Sequence, residues 1–284
     1  MPRIAIPLPH SADPKYAERA IPQYERAVQL AGGESVRIPL DRPSSQLADL
    51  IASCDGVVLP GSKADVDPGR FHAPRSPHTA AADPRRDAVD NLLLEDACRL
   101  RKPVLGICYG LQSLNVFRGG SLVQHIPDFL PEELRTKVNH EAGRKVAIAH
   151  DVAIDADSKL AQVLSGSPTS PHSKENCHPE RSEGPTQLGH GFVQSADGKQ
   201  LLPVNSSHHQ SAERIGGGLR IVARCPDDGI IEALEGTSPD HFVLAVQWHP
   251  ERSFDDDPAS RALFRALIDG ARARQTGFAG NSRR

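Results

Sequence analysis

Three short stretches hold residue types that could do chemistry together. The first is "VLGICYGLQSL", Val104 to Leu114. A short apolar run meets a cysteine set between glycines, and a helical pattern starts at once. Strand, nucleophile and helix in that order make a nucleophile elbow, with thiol in place of hydroxyl. Gly106 and Gly110 leave room where strand and helix cross beside a strained backbone position. The helix after Cys108 aims its first N–H groups and its dipole at the sulfur, which favours the thiolate and readies the spot for an oxyanion. The alternative is a small buried hydrophobe packed between strand and helix. The second stretch is "FVLAVQWHPE", 242–251. A strand delivers His249 at its end, and Pro250 holds the chain extended. His249 and Glu251 are two residues apart, so an extended segment points both to one side. An imidazole is the base a cysteine nucleophile needs, and a carboxylate beside it fixes the tautomer. The alternative is a surface turn. The third is "VVLPGSKADVDP", 57–68. A buried strand ends at Pro60-Gly61, where glycine lets a backbone N–H approach a carbonyl oxygen. With the N–H of Tyr109, that of Gly61 makes an oxyanion hole; the alternative is an ordinary strand-end turn.

These pieces need a scaffold, and the first half of the chain supplies one. "RIAIPL" at 3–8, "SVRIPL", "GVVLPG" and "PVLGI" read as buried strands. Between them, 14–31, "SSQLADLIASC", 84–101 and 109–118 have helical spacing. Gly32-Gly33 and Gly119-Gly120 stop two of these helices, and Asp83-Pro84 starts another as N-cap and first helical residue. Strands alternating with helices predict an α/β fold with a parallel sheet between helical layers. After about residue 121 short strands dominate: "KVAIA", "DVAID", "LLPVN", "LRIVARC", "GIIEAL" and "FVLAVQW". A last helix fits 258–272, with Leu263, Phe264, Leu267 and Ile268 as its apolar set, and 274–284 reads as a flexible tail. Residues 165–200 are rich in Ser, Pro, Gly and His without hydrophobic periodicity, and read as a disordered insertion in a single domain spanning 1–273.

Composition narrows the function classes. The chain has 284 residues, 38% hydrophobic and 24% charged, with a net charge of −3. No basic stripe with interleaved aromatics suggests a nucleic-acid partner. "MPRIAIPLPH" is neither a signal peptide nor a membrane span. The five cysteines, at 54, 98, 108, 177 and 225, include no C-x-x-C pair. A disulfide framework is therefore not expected, and a cytoplasmic setting fits. Cys177-His178 lacks a second ligand pair at a metal spacing, so no metal is expected there.

The Pro-Gly strand end, the G-I-C-x-G-x-Q elbow and the H-P-E segment resemble class I glutamine amidotransferases. Within that group the chain is most similar to the free-standing hydrolases of the gamma-glutamyl-gamma-aminobutyrate hydrolase type. "PGSKADVDPGRF", "RRDAVDNLLLEDA", "VNSSHHQ" at 204–210 and "AVQWHPE" carry the likeness. It spans most of 1–164 and 201–272. The resemblance implies a flavodoxin-like three-layer sandwich, a Cys108–His249–Glu251 triad, and no metal or cofactor. It implies cleavage of a gamma-glutamyl amide of a small amine through a thioester. Gln112 falls at the elbow glutamine that contacts the glutamyl group, and Asn205, Ser207, His208 and Gln210 fall in a segment bordering the substrate. Three positions depart from the hydrolase pattern: Tyr109 stands where Arg is usual, Ser62 where a second Gly is usual, and Asp90 where Glu is usual. Two other readings stay open: a glutaminase subunit feeding ammonia to a synthase, and a non-catalytic scaffold. Relatives of this fold often form homodimers.

Overall fold

The structure is a computed structural model that describes residues 1–166, 193–194 and 199–281. Among the described residues its frame is a 10-stranded sheet. The first half of the chain builds alternating elements: β1 (Arg3–Pro7), α1 (Pro14–Leu30), β2 (Glu34–Ile38), α2 (Ser44–Ala52), β3 (Gly56–Leu59), α3 (Pro84–Leu100), β4 (Val104–Ile107) and α4 (Tyr109–Phe117). The predicted cap of α3 is present, since the Asp83 carboxylate accepts the N–H of Arg86. Next come β5 (Leu122–Val123), α5 (Ile126–Phe129), β6 (His150–Ile154), α6 (Lys159–Leu164), β7 (Val193–Gln194), β8 (Gln200–Val204) and β9 (Ser211–Ala212). The chain closes with β10 (Leu219–Arg224), β11 (Ile231–Gly236), β12 (Val243–Val246) and α7 (Pro258–Asn281).

Sheet order is β2-β1-β3-β4-β12-β11-β10-β6-β8-β7, with β5 and β9 paired apart. The strands from β2 to β12 are mutually parallel, and antiparallel pairing extends the sheet beyond β12. Alternation on β1 shows how both faces are covered. Ile4 and Ile6 pack with α1 and α7, including Tyr24, Val28, Leu263 and Phe264. Ala5 faces the other way, into a core with Leu47 and Ile51 of α2, Leu93 of α3 and Leu111 of α4. The sheet therefore lies between two helical layers, the expected three-layer α/β sandwich. Among the described residues no helix is long and apolar enough to cross a membrane.

Several expectations change in detail. "KVAIA" forms no strand: Val146 and Ile148 are exposed, and the preceding Gly143 packs against the backbone of 205–206 and donates its N–H to Ser206 O. α7 runs past 272 to Asn281, into the stretch read as a tail; Arg272 anchors it by donating to Gly32 O at 3.1 Å. Of the 165–200 stretch, Val193–Gln194 and Gln200 are paired in the sheet. Cys177 and His178 lie outside the described residues.

Candidate functional site

The site is built where parallel strands end. β4 stops at Ile107, and Cys108 takes φ 53 and ψ −105, a conformation that a non-glycine residue holds only when its surroundings force it. Two features do so. The Cys108 N–H donates to Val246 O of β12 at 2.8 Å. α4 then packs so closely that any Cβ on Gly110 would collide with the Leu59 carbonyl. A Cβ on Gly106 would sit 2.9 Å from Gly110 O. Both glycines are thus there for close approach, as the spacing predicts.

β12 lies beside β4 in parallel register, Val246 opposite Ile107, so its continuation brings His249 to the same end of the sheet. His249 Nδ1 is 2.8 Å from Glu251 Oε1. The two meet through a 3₁₀ turn, Pro250–Arg252, rather than through the extended segment predicted. Burial alone would push the His249 pKa down. The Glu251 carboxylate, and then the Cys108 sulfur, outweigh burial and raise it to about 9. Burial likewise works to raise the Glu251 pKa, but the His249 charge overrides it and holds the carboxyl below its ordinary value. His249 Nε2 is buried without a hydrogen-bond partner among the described residues.

Cys108 and His249 open on a cavity of about 640 Å³, also lined by Ser62, Gln112, Arg144, Ser207 and Gln210. The other expected residues take varied places. Gly61 touches His249: a Cβ there would lie 3.1 Å from its Cε1. Its N–H, however, donates to Tyr24 Oη at 3.1 Å, so this structure does not offer it to an oxyanion. Ser62, the next residue, borders the cavity, and its N–H has no partner among the described residues. The Tyr109 side chain turns away: its hydroxyl donates to Asp87 Oδ1 at 2.5 Å and its ring packs 4.8 Å from the Arg86 guanidinium. Asn205 does not line the cavity. Its amide donates to His249 O and accepts from His249 N–H, both at 2.9 Å, clamping the histidine backbone.

Gln112 borders the cavity and donates to Gln210 O at 3.2 Å. Gln210 donates to Gln124 O at 3.1 Å, while its Oε1 is buried and has no partner among the described residues. Ser207 Oγ accepts from Arg144 Nε at 3.2 Å. His208 borders the cavity too, but its Nδ1 lies 2.9 Å from Gln210 O and its Nε2 faces Glu232, so both ring nitrogens are turned to the protein.

The sequence reading assigns no role to three contributors. Tyr24 of α1 donates its hydroxyl to Glu251 Oε1 at 3.0 Å, yet in sequence it is only an apolar-face position of a helix. Arg144 places a guanidinium on the cavity wall from a 3₁₀ turn, Ala142–Arg144, just before the stretch read as a strand. Arg86 is fully buried, paired with Asp90 at 2.7 Å, and donates to Pro60 O at 2.7 Å, fixing the loop that starts at Gly61. The Asp90 departure therefore concerns this support.

A profile of the peptidase C26 family matches residues 7–177 and 172–251. The chain belongs to that family. It is 31% identical over 250 residues to the gamma-glutamyl-gamma-aminobutyrate hydrolase PuuD of Escherichia coli strain K12, covering 87% of this chain and 84% of that one. It is 35% identical over 260 residues to a Mycobacterium tuberculosis protein provisionally named a glutamine amidotransferase, Rv2859c, covering 90% and 68%. A solved Trypanosoma brucei CTPS glutaminase domain with bound acivicin superposes with a TM-score of 0.55 at 16% identity, covering 96% of this chain and 94% of that one. That likeness shows the fold. The family consists of hydrolase- and amidotransferase-like enzymes.

Proposed function

We propose that this chain hydrolyses a gamma-glutamyl amide of a small amine, with Cys108 as nucleophile. The observation that carries the reading is the strained Cys108 at the β4–α4 junction, sharing one cavity with a His249 that is already paired to Glu251. In this reading the Cys108 thiolate attacks the side-chain carbonyl of the glutamyl group. The N–H of Tyr109, at the start of α4, and that of Ser62 face the developing oxyanion; Gly61 supplies space, not a donor. His249, held protonated by Glu251, gives its proton to the leaving amine. It then takes a proton from the water that opens the thioester. Tyr24 and Asn205 hold the pair in place, one on the carboxylate and one on the imidazole backbone.

Substrate recognition follows from charge. A glutamyl group presents an α-ammonium and an α-carboxylate. Arg144 on the wall suits the carboxylate, and the bare Gln210 Oε1 with the Gln112 amide suits the ammonium side. The test is a release assay over gamma-glutamyl amides of several amines, with glutamine included, on wild type and Cys108→Ser. Turnover of one or more gamma-glutamyl amines that is lost in Cys108→Ser is expected. Turnover of glutamine alone would move the chain to the glutaminase reading. Full activity of Cys108→Ser would end the thioester mechanism.

A further inference from the structure

Beside the cavity, four buried side chains from four separate segments converge. They are His140 in the loop after α5, His150 at the start of β6, His208 between β8 and β9, and Glu232 on β11. Their sequence separations match no metal-ligand motif, so nothing in the pattern singles them out. His140 Nδ1, His150 Nε2 and His208 Nε2 lie 3.1, 3.4 and 3.5 Å from one oxygen, Glu232 Oε1. The four atoms are all within 4.8 Å of one another. Among the described residues none of them has a partner in hydrogen-bond geometry, despite those short separations, and Glu232 Oε2 is equally unpartnered. Five bare polar atoms in one buried spot would each carry a desolvation cost unless something joins them.

The far side of each ring settles which atom is bare. His150 Nδ1 is 2.9 Å from Asp151 O, and His208 Nδ1 is 2.9 Å from Gln210 O. A carbonyl only accepts, so those nitrogens carry the hydrogen and each neutral ring turns a lone pair inward at Nε2. His140 Nε2 is 2.8 Å from Asp228 Oδ2, so in the neutral ring Nδ1 is the inward lone pair. With no metal, burial opposes the charge on this imidazole, but Asp228 and Glu232 outweigh it and raise the pKa to about 9, the protonated alternative. Three lone pairs and a carboxylate then face one another, an arrangement that calls for a cation between them.

We propose that His140, His150, His208 and Glu232 bind one divalent metal ion of the zinc class in a four-coordinate site. With metal–ligand bonds of about 2.0–2.1 Å, a tetrahedron has donor–donor edges of about 3.3 Å. The separations from Glu232 Oε1, 3.1 to 3.5 Å, bracket that edge. No donor pair is wider than 4.8 Å, so a bound ion would draw the widest in by no more than about 1.5 Å. Imidazole nitrogens with one carboxylate oxygen suit zinc better than calcium or magnesium. The outer partners, one carboxylate and two backbone carbonyls, are those that orient metal-bound imidazoles. With four protein ligands and no open position, the ion is structural. It ties the loop carrying Arg144 and the segment carrying Ser207 and Gln210 to β11, and so sets the cavity wall without entering the reaction. The competing occupant is a proton: an imidazolium here would turn the same contacts into ion pairs.

The proposal stands apart from the hydrolase reading, and its test reads the metal directly. Full-length protein without a histidine tag is grown with added zinc, desalted, and assayed for zinc, iron, nickel and copper per chain. About one zinc per chain is expected, with stripped protein taking up cobalt(II) to give the intense visible bands of a four-coordinate ion. Chelation should lower Tm by roughly 5 °C or more. His150→Gln and Glu232→Gln should lose both metal and bands, and His72→Asn, at an exposed histidine, should keep them. Folded wild type that binds no zinc or cobalt after incubation with the salts would overturn the proposal in favour of protonated histidines. So would a six-coordinate cobalt spectrum, or variants that retain the metal. The wild-type measurements decide the matter even where a variant does not fold.

Discussion

Tyr24→Phe tests how the paired base is held. Tyr24 is buried, and burial together with the Glu251 carboxylate keeps its phenol pKa well above the ordinary value. The hydroxyl therefore stays protonated and donates to Glu251 Oε1 at 3.0 Å, while its oxygen accepts the Gly61 N–H at 3.1 Å. Phenylalanine keeps the ring and deletes both bonds. A hydrogen bond to a buried carboxylate contributes about 1.5–3 kcal/mol, and an orphaned buried N–H costs about 1–3 kcal/mol. With part of the Gly61 loss recovered by local shifts, the expected destabilisation is about 3 kcal/mol. Glu251 keeps its bond to His249, so the base survives but its carboxylate is held by one group fewer. A loss of about 1.4 kcal/mol in the transition state lowers kcat about tenfold. The assays are urea unfolding and steady-state release of the amine. Unfolding within about 0.5 kcal/mol of wild type, together with kcat within about twofold, would show that the Tyr24 bridge supports neither the fold nor the base.

Other outcomes follow from the same geometry. Asn205→Ala removes both bonds to the His249 backbone, so kcat should fall roughly 10- to 100-fold with KM changed less than about twofold; a rise in KM alone would return Asn205 to the substrate. Tyr109→Phe breaks the bond to Asp87, so unfolding measurements should show a loss of about 1–2 kcal/mol, while ranking of the amine panel should stay as in wild type. A changed ranking would mean that the Tyr109 side chain reads the leaving group after all. The His249 pKa is raised above its unfolded value of about 6.5 to about 9. Stability from that shift is therefore full below about pH 6.5 and lost as pH rises through about 9. kcat/KM should fall over that same upper limb, because the imidazolium that protonates the leaving amine is lost. A pH profile flat to 10 would contradict it.

What the sequence reveals depends on how far apart the partners lie. Cys108 with Gly106 and Gly110, and His249 with Glu251, are local constellations, so spacing alone exposes them. The alternation of strands and helices up to α4 is equally local, and it places β4 as a strand with a helix behind it. The neighbour of β4 in the sheet, β12, arrives from the far end of the chain, and no local pattern gives that pairing. Tyr24 and Glu251 are 227 residues apart, and Asn205 and His249 are 44 apart. A helical tyrosine on an apolar face is packing until the fold puts a carboxylate against it. Gly61 shows the converse error. The sequence makes its N–H an oxyanion donor, but the tyrosine that claims that N–H comes from another element, so the proposed donor moves one residue on to Ser62. His208 follows the same logic at larger scale. Its motif suggests contact with substrate, and only the convergence of His140, His150 and Glu232 shows that both ring nitrogens answer to the protein. The proposed nucleophile and its base are thus properties of short segments, whereas the groups that hold them in register are properties of the sheet, and a substitution in the second class would go unnoticed in any reading of motifs alone.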